Sequence, residues 1–279
     1  MRFVKMQGTG NDFLFVEAEP ESHDWAALSR AICDRHYGVG ADGLILVRPS
    51  PRADVAMRLF NVDGSEAEVS GNGVRCLVKY AVERGLAAAK SGRVTVEAAS
   101  GLLEADVQRE GARVTAVRLA MGAPRFLPTD IPVLADMEPP VLDFPLEIEG
   151  QRLRVSCLSM GNPHAVLFFA QPVERYPLER VGPAVEHHPS FPQRVNFEVA
   201  RVLGRDRLEL RVWERGVGET LACGSGSCAA MVAARLHNLV EDRVDISQPG
   251  GVLTVDWDGR GEVYLTGPAE FVFEGDWPG

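Results

Sequence analysis

Residues 58–76 read Arg58-Leu59-Phe60-Asn61-Val62-Asp63-Gly64-Ser65-Glu66-Ala67-Glu68-Val69-Ser70-Gly71-Asn72-Gly73-Val74-Arg75-Cys76. Residues 211–228 read Arg211-Val212-Trp213-Glu214-Arg215-Gly216-Val217-Gly218-Glu219-Thr220-Leu221-Ala222-Cys223-Gly224-Ser225-Gly226-Ser227-Cys228. In both, a strand-like run enters a turn. A nucleophile-type side chain (Ser70 or Cys223), a Gly-x-Gly and a helical stretch with a cysteine near its start then follow.

The likeness extends outward. Met6-Gln7-Gly8-Thr9-Gly10-Asn11-Asp12-Phe13 is echoed by Met160-Gly161-Asn162-Pro163-His164, a Gly-Asn pair preceding an apolar run each time. Val94 to Pro124 is echoed by Val244 to Pro268, both rich in hairpin signals. Four segments in one order, at an offset of about 150 residues, point to a duplicated unit. The fold class read from this is α+β, with two similar domains that are each an antiparallel sheet or barrel wrapped around a central helix. The domains are placed at 1–122 and 123–267, with 268–279 a candidate to return to the first.

Period and punctuation supply the elements. Strand-like runs are Phe13–Val16, Leu44–Val47, Val55–Phe60, Val94–Glu97, Val114–Leu119, Leu208–Trp213, Val252–Trp257 and Val263–Thr266, and Met1 to Lys5 also enters as a strand. In the helix Val74–Leu86, Val74, Leu77, Val78, Ala81 and Val82 recur at helical spacing. The helix Ala229–Leu236 is apolar almost all round, as for a helix enclosed by other elements. Trp25–His36 and Leu178–His187 are further helices, and the Pro-rich segment Pro124 to Pro145 reads as a linker.

With 279 residues and a net charge of -10, the chain lacks the basic surface that a sequence-independent grip on nucleic acid needs. No apolar run is long enough to span a bilayer and no signal-peptide stretch is present, so no membrane partner and a cytoplasmic location are expected. The cysteines Cys33, Cys76, Cys157, Cys223 and Cys228 are odd in number, which in a reducing compartment argues against a disulfide framework, and they form no Cys-x-x-Cys pair, which argues against a zinc site. Gly38-Val39-Gly40-Ala41-Asp42-Gly43 fits a dinucleotide fingerprint by letter, but it follows a helix and enters a strand, the reverse of the required context, and reads as a turn.

The two glycine turns carry the chemistry. A helix start offers unpaired N–H groups and a positive dipole end, which bind anions and lower the pKa of a thiol placed there. Two such turns facing each other across a domain interface would place one group on each face of a substrate carbon, one removing a proton and the other delivering one.

The chain resembles the diaminopimelate epimerase family over nearly its whole length, through Asn61 to Cys76, Glu214 to Cys228, Gly8 to Phe13 and Met160 to His164. The resemblance implies a cofactor-independent isomerase that interconverts LL- and meso-diaminopimelate for lysine and peptidoglycan synthesis through two cysteines. No metal is implied, and a homodimer is compatible. Carried over by position, Cys223 is one acid/base. Asn61, Asn162, Asn196, Glu214 and Arg215 grip the distal end of the substrate, with Asn11 supporting. Backbone donors around Gly71, Asn72, Gly224 and Ser225 hold the carboxylate at the reacting carbon. Five of the chain's six asparagines are among these positions, as a doubly zwitterionic substrate would require.

Ser70 departs from the family, which has cysteine there, and a hydroxyl is a poor α-proton base without an activating neighbour. Cys76 lies too far into the helix to substitute. Three explanations stand: an inactivating substitution introduced to trap a state, a natural variant with changed chemistry, or an epimerase using another donor. The first is the expectation here. His164 reads as a catalytic base or, at least equally, as a structural or substrate-orienting residue, and Arg75 is expected to pair with an acidic neighbour. Rival functions are a proline-racemase-like dehydratase or isomerase using one cysteine, and an amino-acid-binding protein without chemistry. A serine hydrolase on Ser70 lacks the Gly-x-Ser-x-Gly elbow.

Overall fold

A Gly-Thr-Gly run allows the first hairpin. Thr9 (φ 52°) and Gly10 (φ 85°) take the left-handed conformations of a tight two-residue turn between β1 (Arg2–Gly8) and β2 (Asn11–Glu17). The computed structural model describes residues 1–17 and 23–278 and divides into two compact units, Met1–Ala120 with Thr266–Gly279 and Met121–Leu265.

In unit 1, β2 is followed by α1 (Trp25–Ile32), β3 (Gly43–Arg48), β4 (Val55–Asn61), the short β5 (Glu66–Ala67), α2 (Gly71–Glu83), β6 (Arg93–Ala98), β7 (Gly101–Glu110) and β8 (Arg113–Ala120). β2 and β3 run parallel, as do β4 and β6, and the other pairs are antiparallel. Unit 2 opens with β9 (Val141–Ile148) and then repeats the order: β10 (Gln151–Ser159), β11 (Pro163–Phe168), α3 (Leu178–Glu186), β12 (Asn196–Gly204), β13 (Arg207–Glu214), β14 (Gly218–Thr220), α4 (Gly224–Leu236), β15 (Arg243–Gln248) and β16 (Gly251–Asp256). β11 and β12 are parallel, as are β13 and β15. β17 (Tyr264–Gly267) follows. β18 (Glu270–Asp276) pairs antiparallel with β1, as β9 does with β10.

The sheets are therefore mixed where the sequence reading had them antiparallel. Parallel neighbours need a crossover, and the four α-helices among the described residues each lie in one. The same fact explains why β2 from Phe13 to Val16 and nearly all of β3 are buried. Leu14, Val16, Leu44 and Leu46 pack with Trp25 and Ile32 of α1, while Phe15 on the opposite side stacks on Tyr80 of α2, with ring centroids 5.6 Å apart. Strands covered on both faces read as continuous apolar runs. In unit 2 the residues of α4 from Cys228 to Ala234 are fully buried in one core with Val166 and Ala200, and α3 packs in a second core with Ala165, Leu167 and Val199.

α2 and α4 begin three and five residues earlier than their apolar period, at Gly71 and Gly224. The first turns carry glycines rather than apolar residues, so the period does not register them. What starts each helix is a side-chain cap. Ser70 and Cys223 sit in extended conformation and accept the amides of Gly73 and Gly226. Pro145 is not linker but strand: it lies in β9 opposite Arg154 of β10, a position proline tolerates where no ladder hydrogen bond is required of its nitrogen. Among the described residues no helix is long and apolar enough to cross a membrane.

Candidate active site

Each unit places its candidate residues around the start of its second helix. In unit 1, the Ser70 Oγ accepts from the Gly73 N–H at 3.2 Å and the Ser70 carbonyl accepts from Val74 at 2.8 Å. The amides of Gly71 and Asn72, as the first two of the helix, find no acceptor within it. Asn72 is buried. Its amide donates to Asn11 Oδ1 at 3.1 Å, and Asn11 in turn donates to Asp42 Oδ2 at 2.6 Å. Asp42 is thus obliged to face the Asn11 NH2, which turns the Asn11 oxygen to Asn72 and leaves Asn72 Oδ1 a buried acceptor with no partner. Behind Asp42, Arg35 bridges it to Asp12, and Lys5 holds Asp12 at 2.8 Å. Asn61 ends β4 exposed, its amide on Ser65 Oγ at 3.0 Å.

Cys76 is fully buried within α2, with burial pushing its thiol up to about 12. It is therefore no substitute for the residue at position 70. Arg75 is buried and donates to the Pro268 carbonyl and to Thr9 Oγ1. These bonds tie strand ends to the helix.

In unit 2, the Cys223 sulfur accepts from the Gly226 N–H at 3.4 Å and lies 3.5 Å from Ser225 Oγ. Its backbone is anchored by Gln248, whose Oε1 accepts from Cys223 N at 3.0 Å. The Gln248 amide also donates to Ser227 Oγ, which itself donates to the Cys223 carbonyl. Asn162 donates to Ser225 Oγ at 3.3 Å, and its oxygen lies 2.9 Å from His164 Nε2. His164 Nδ1 lies 2.7 Å from Glu198 Oε1, and both residues are completely buried.

Around the β13 turn, Asn196 is buried with its amide bridging the Pro163 carbonyl and the Arg215 N–H, and Glu214 accepts from Thr220 Oγ1 at 2.5 Å. Buried Glu186 accepts from the Trp213 indole at 2.8 Å and from Gly216 N at 2.9 Å, so the Glu214-Arg215 turn is pinned from below.

The unit 2 candidates Cys223, Ser225, Asn162 and His164 thus form one hydrogen-bonded set, as do Asn11 and Asn72 in unit 1. The thiol differs from its sequence reading. The helix start was expected to lower its pKa, but burial and the Glu214 carboxylate hold it well above a thiol's ordinary value. The hydrogen bonds from Ser225 and Gly226 act against this. Burial wins because the dipole of one helix end contributes about 0.3–2 kcal/mol, while desolvating a thiolate shifts pKa by several units.

Sequence reasoning missed Asp42, Glu186, Glu198 and Gln248. Only Glu198 leaves a signal, as a lone charge in the apolar run Val195 to Ala200.

The family model described as diaminopimelate epimerase matches residues 3–127 and 156–272. A diaminopimelate epimerase of Moorella thermoacetica is 48% identical over 281 residues, covering 100% of this chain and 99% of that protein. Among solved structures, a PhzF-family phenazine biosynthesis protein of Bacillus anthracis superposes with a TM-score of 0.72 at 18% identity, covering 99% of this chain and 98% of that one. A hydroxyproline epimerase of Agrobacterium vitis superposes with a TM-score of 0.70 at 18% identity, covering 99% and 91%. These two show a shared fold, and the full-length match shows the family. The chain belongs to the diaminopimelate epimerase family.

Proposed function

We propose that this chain acts on LL- and meso-diaminopimelate as an epimerase, moving the α-proton with side chains alone, and that Ser70 disables one of its two proton-transfer positions. The reading is carried by one observation: the equivalent helix starts of a duplicated fold are capped by Ser70 in one unit and Cys223 in the other, in a member of this family. Cys223 is the competent acid/base. The free amides at Gly71, Asn72, Gly224 and Ser225 are suited to a carboxylate and to the negative charge that develops as the α-proton leaves. Asn61, Asn162, Asn196, Glu214 and Arg215 supply amides, a carboxylate and a guanidinium for the distal amino-acid end, with Asn11 behind the first helix start. Ser70 uses its hydroxyl as a cap, and its pKa lies far above that of a thiol, so it neither takes nor returns the proton at a useful rate.

The same reading places the protein in the cytoplasm and allows two copies to pair, which light scattering on the purified chain decides. The test of the function is α-proton exchange followed by NMR in D2O with each stereoisomer in turn. Exchange of one stereoisomer without inversion is the expected outcome. Full inversion would overturn the assignment of Ser70 as the defect, and no exchange with either would overturn the substrate. Exchange of hydroxyproline instead would favour the proline-racemase-like alternative.

A further inference from the structure

Unit 2 buries a polar pair where unit 1 buries an apolar one. The parallel registers make Phe13 and His164 equivalent: Phe13 pairs with Gly43, the first residue of β3, and His164 with Asn196, the first of β12. Two residues further along, Ile45 and Glu198 are equivalent, and a second relation agrees. Ile45 Cδ1 lies 3.0 Å from where a Cβ on Gly73 would stand, and Glu198 Oε1 lies 3.0 Å from where a Cβ on Gly226 would stand. All four side chains are buried. Since Phe13 and Ile45 satisfy the same positions in the same fold, packing does not call for a histidine and a carboxyl beneath Cys223. A buried polar pair holds no stability advantage over an apolar one.

Glu198 Oε2 is buried without a hydrogen-bond partner, which makes an ionised carboxylate expensive there. Burial pushes the carboxyl up and Glu214 pushes it the same way, against His164 and the Ala165 N–H. The thiols of Cys157 and Cys223 are further titratable neighbours.

We propose that Glu198 is a protonated positioning residue whose O–H donates to His164 Nδ1, setting the direction of a hydrogen-bond chain that ends with Ser225 donating to the Cys223 sulfur. The proposal rests on the reading of Cys223 as a proton-transfer group. With Nδ1 accepting, Nε2 carries the ring proton and donates to Asn162 Oδ1. The Asn162 NH2 then faces Ser225 Oγ, whose own proton points at Sγ. The thiolate gains a second donor beside the Gly226 N–H. An ionised Glu198 would reverse every link: Nδ1 would donate, Asn162 would flip, and Ser225 would accept from the thiol, favouring the form that is no base.

Two measurements on the full chain test this without substrate. In protein labelled with 15N-histidine, His164 is expected to carry its ring proton on Nε2, with Nδ1 accepting. An Nδ1–H tautomer or an imidazolium overturns the proposal. The second is the pH midpoint of Cys223 alkylation by iodoacetamide, followed by peptide mass spectrometry. Glu198→Gln, whose amide also donates to Nδ1, is expected to keep the parent midpoint. The double variant His164→Phe/Glu198→Ile, which copies unit 1, is expected to raise it by about one pH unit, near tenfold slower alkylation at a fixed lower pH. If Glu198 is ionised, Glu198→Gln removes a negative charge and lowers the midpoint, which also overturns the proposal. A failure of the epimerase reading would appear only in the substrate exchange experiment, so the two are separable.

Discussion

The helix starts of α2 and α4 share a backbone and differ in polarity. Both are capped from an extended residue, and both have an asparagine from the preceding hairpin beside the second helical residue, Asn11 with Asn72 and Asn162 with Ser225. In unit 1 the Asp42 carboxylate draws the amide nitrogen of Asn11 away, so its oxygen faces the helix and Asn72 is left with a spare acceptor. In unit 2 Asn162 meets His164 on one side and hands its NH2 to the helix, and Ser225 lies against the sulfur. Duplication thus conserved the frame, while a few side chains behind it decide whether the helix start presents an acceptor or a donor.

The largest test of that difference is to make the two caps chemically alike. Ser70→Cys is expected to raise inversion of diaminopimelate by about 10²–10⁴-fold, the usual contribution of a positioned acid/base, measured by α-proton NMR. No gain would mean that the hydroxyl is not what separates the two units. The next effect is one of pH. Because the Cys223 thiol is held above its ordinary value, thiolate is scarce at neutral pH. One-sided exchange is therefore expected to climb about tenfold per pH unit through neutrality, and a plateau below pH 8 would contradict the raised thiol.

The glycines give a smaller contrast. A methyl at Gly226 meets the Glu198 carboxyl and Val212, whereas one at Gly73 meets the flexible end of Ile45. Gly226→Ala is expected to cost about 1–3 kcal/mol by overpacking. In Gly73→Ala the gain in helix propensity, about 1 kcal/mol, offsets most of the strain. Urea unfolding of both decides, and equal losses would erase the asymmetry. The smallest effect concerns capping. Ser70→Ala is expected to lose about 1 kcal/mol of stability, and Cys223→Ala less, since a thiol is the weaker acceptor; thermal melts compare them.

The Gly-x-Gly repeats, the paired Gly-Asn turns and the apolar periods are local features, and they carried the two-domain α+β fold and the family into view. The same locality explains the errors. Sequence spacing does not say whether neighbouring strands run parallel, so the crossovers through α1 to α4 went unread. A helix that starts on glycines shows no period until its first apolar residue. Pro145 reads as linker because its partner Arg154 lies on the next strand rather than beside it in the chain.

The sequence by itself determined the duplication, the cap residues and the substitution at Ser70, because these are fixed by residue identity and short-range spacing. Only the tertiary structure decided how the caps behave. The pKa of a thiol depends on what surrounds it, and Glu214 and Gln248 reach Cys223 from strands up to 25 residues away along the chain. Burial and long-range charge are properties of the packed unit, and they override the helix dipole that the local motif alone had promised.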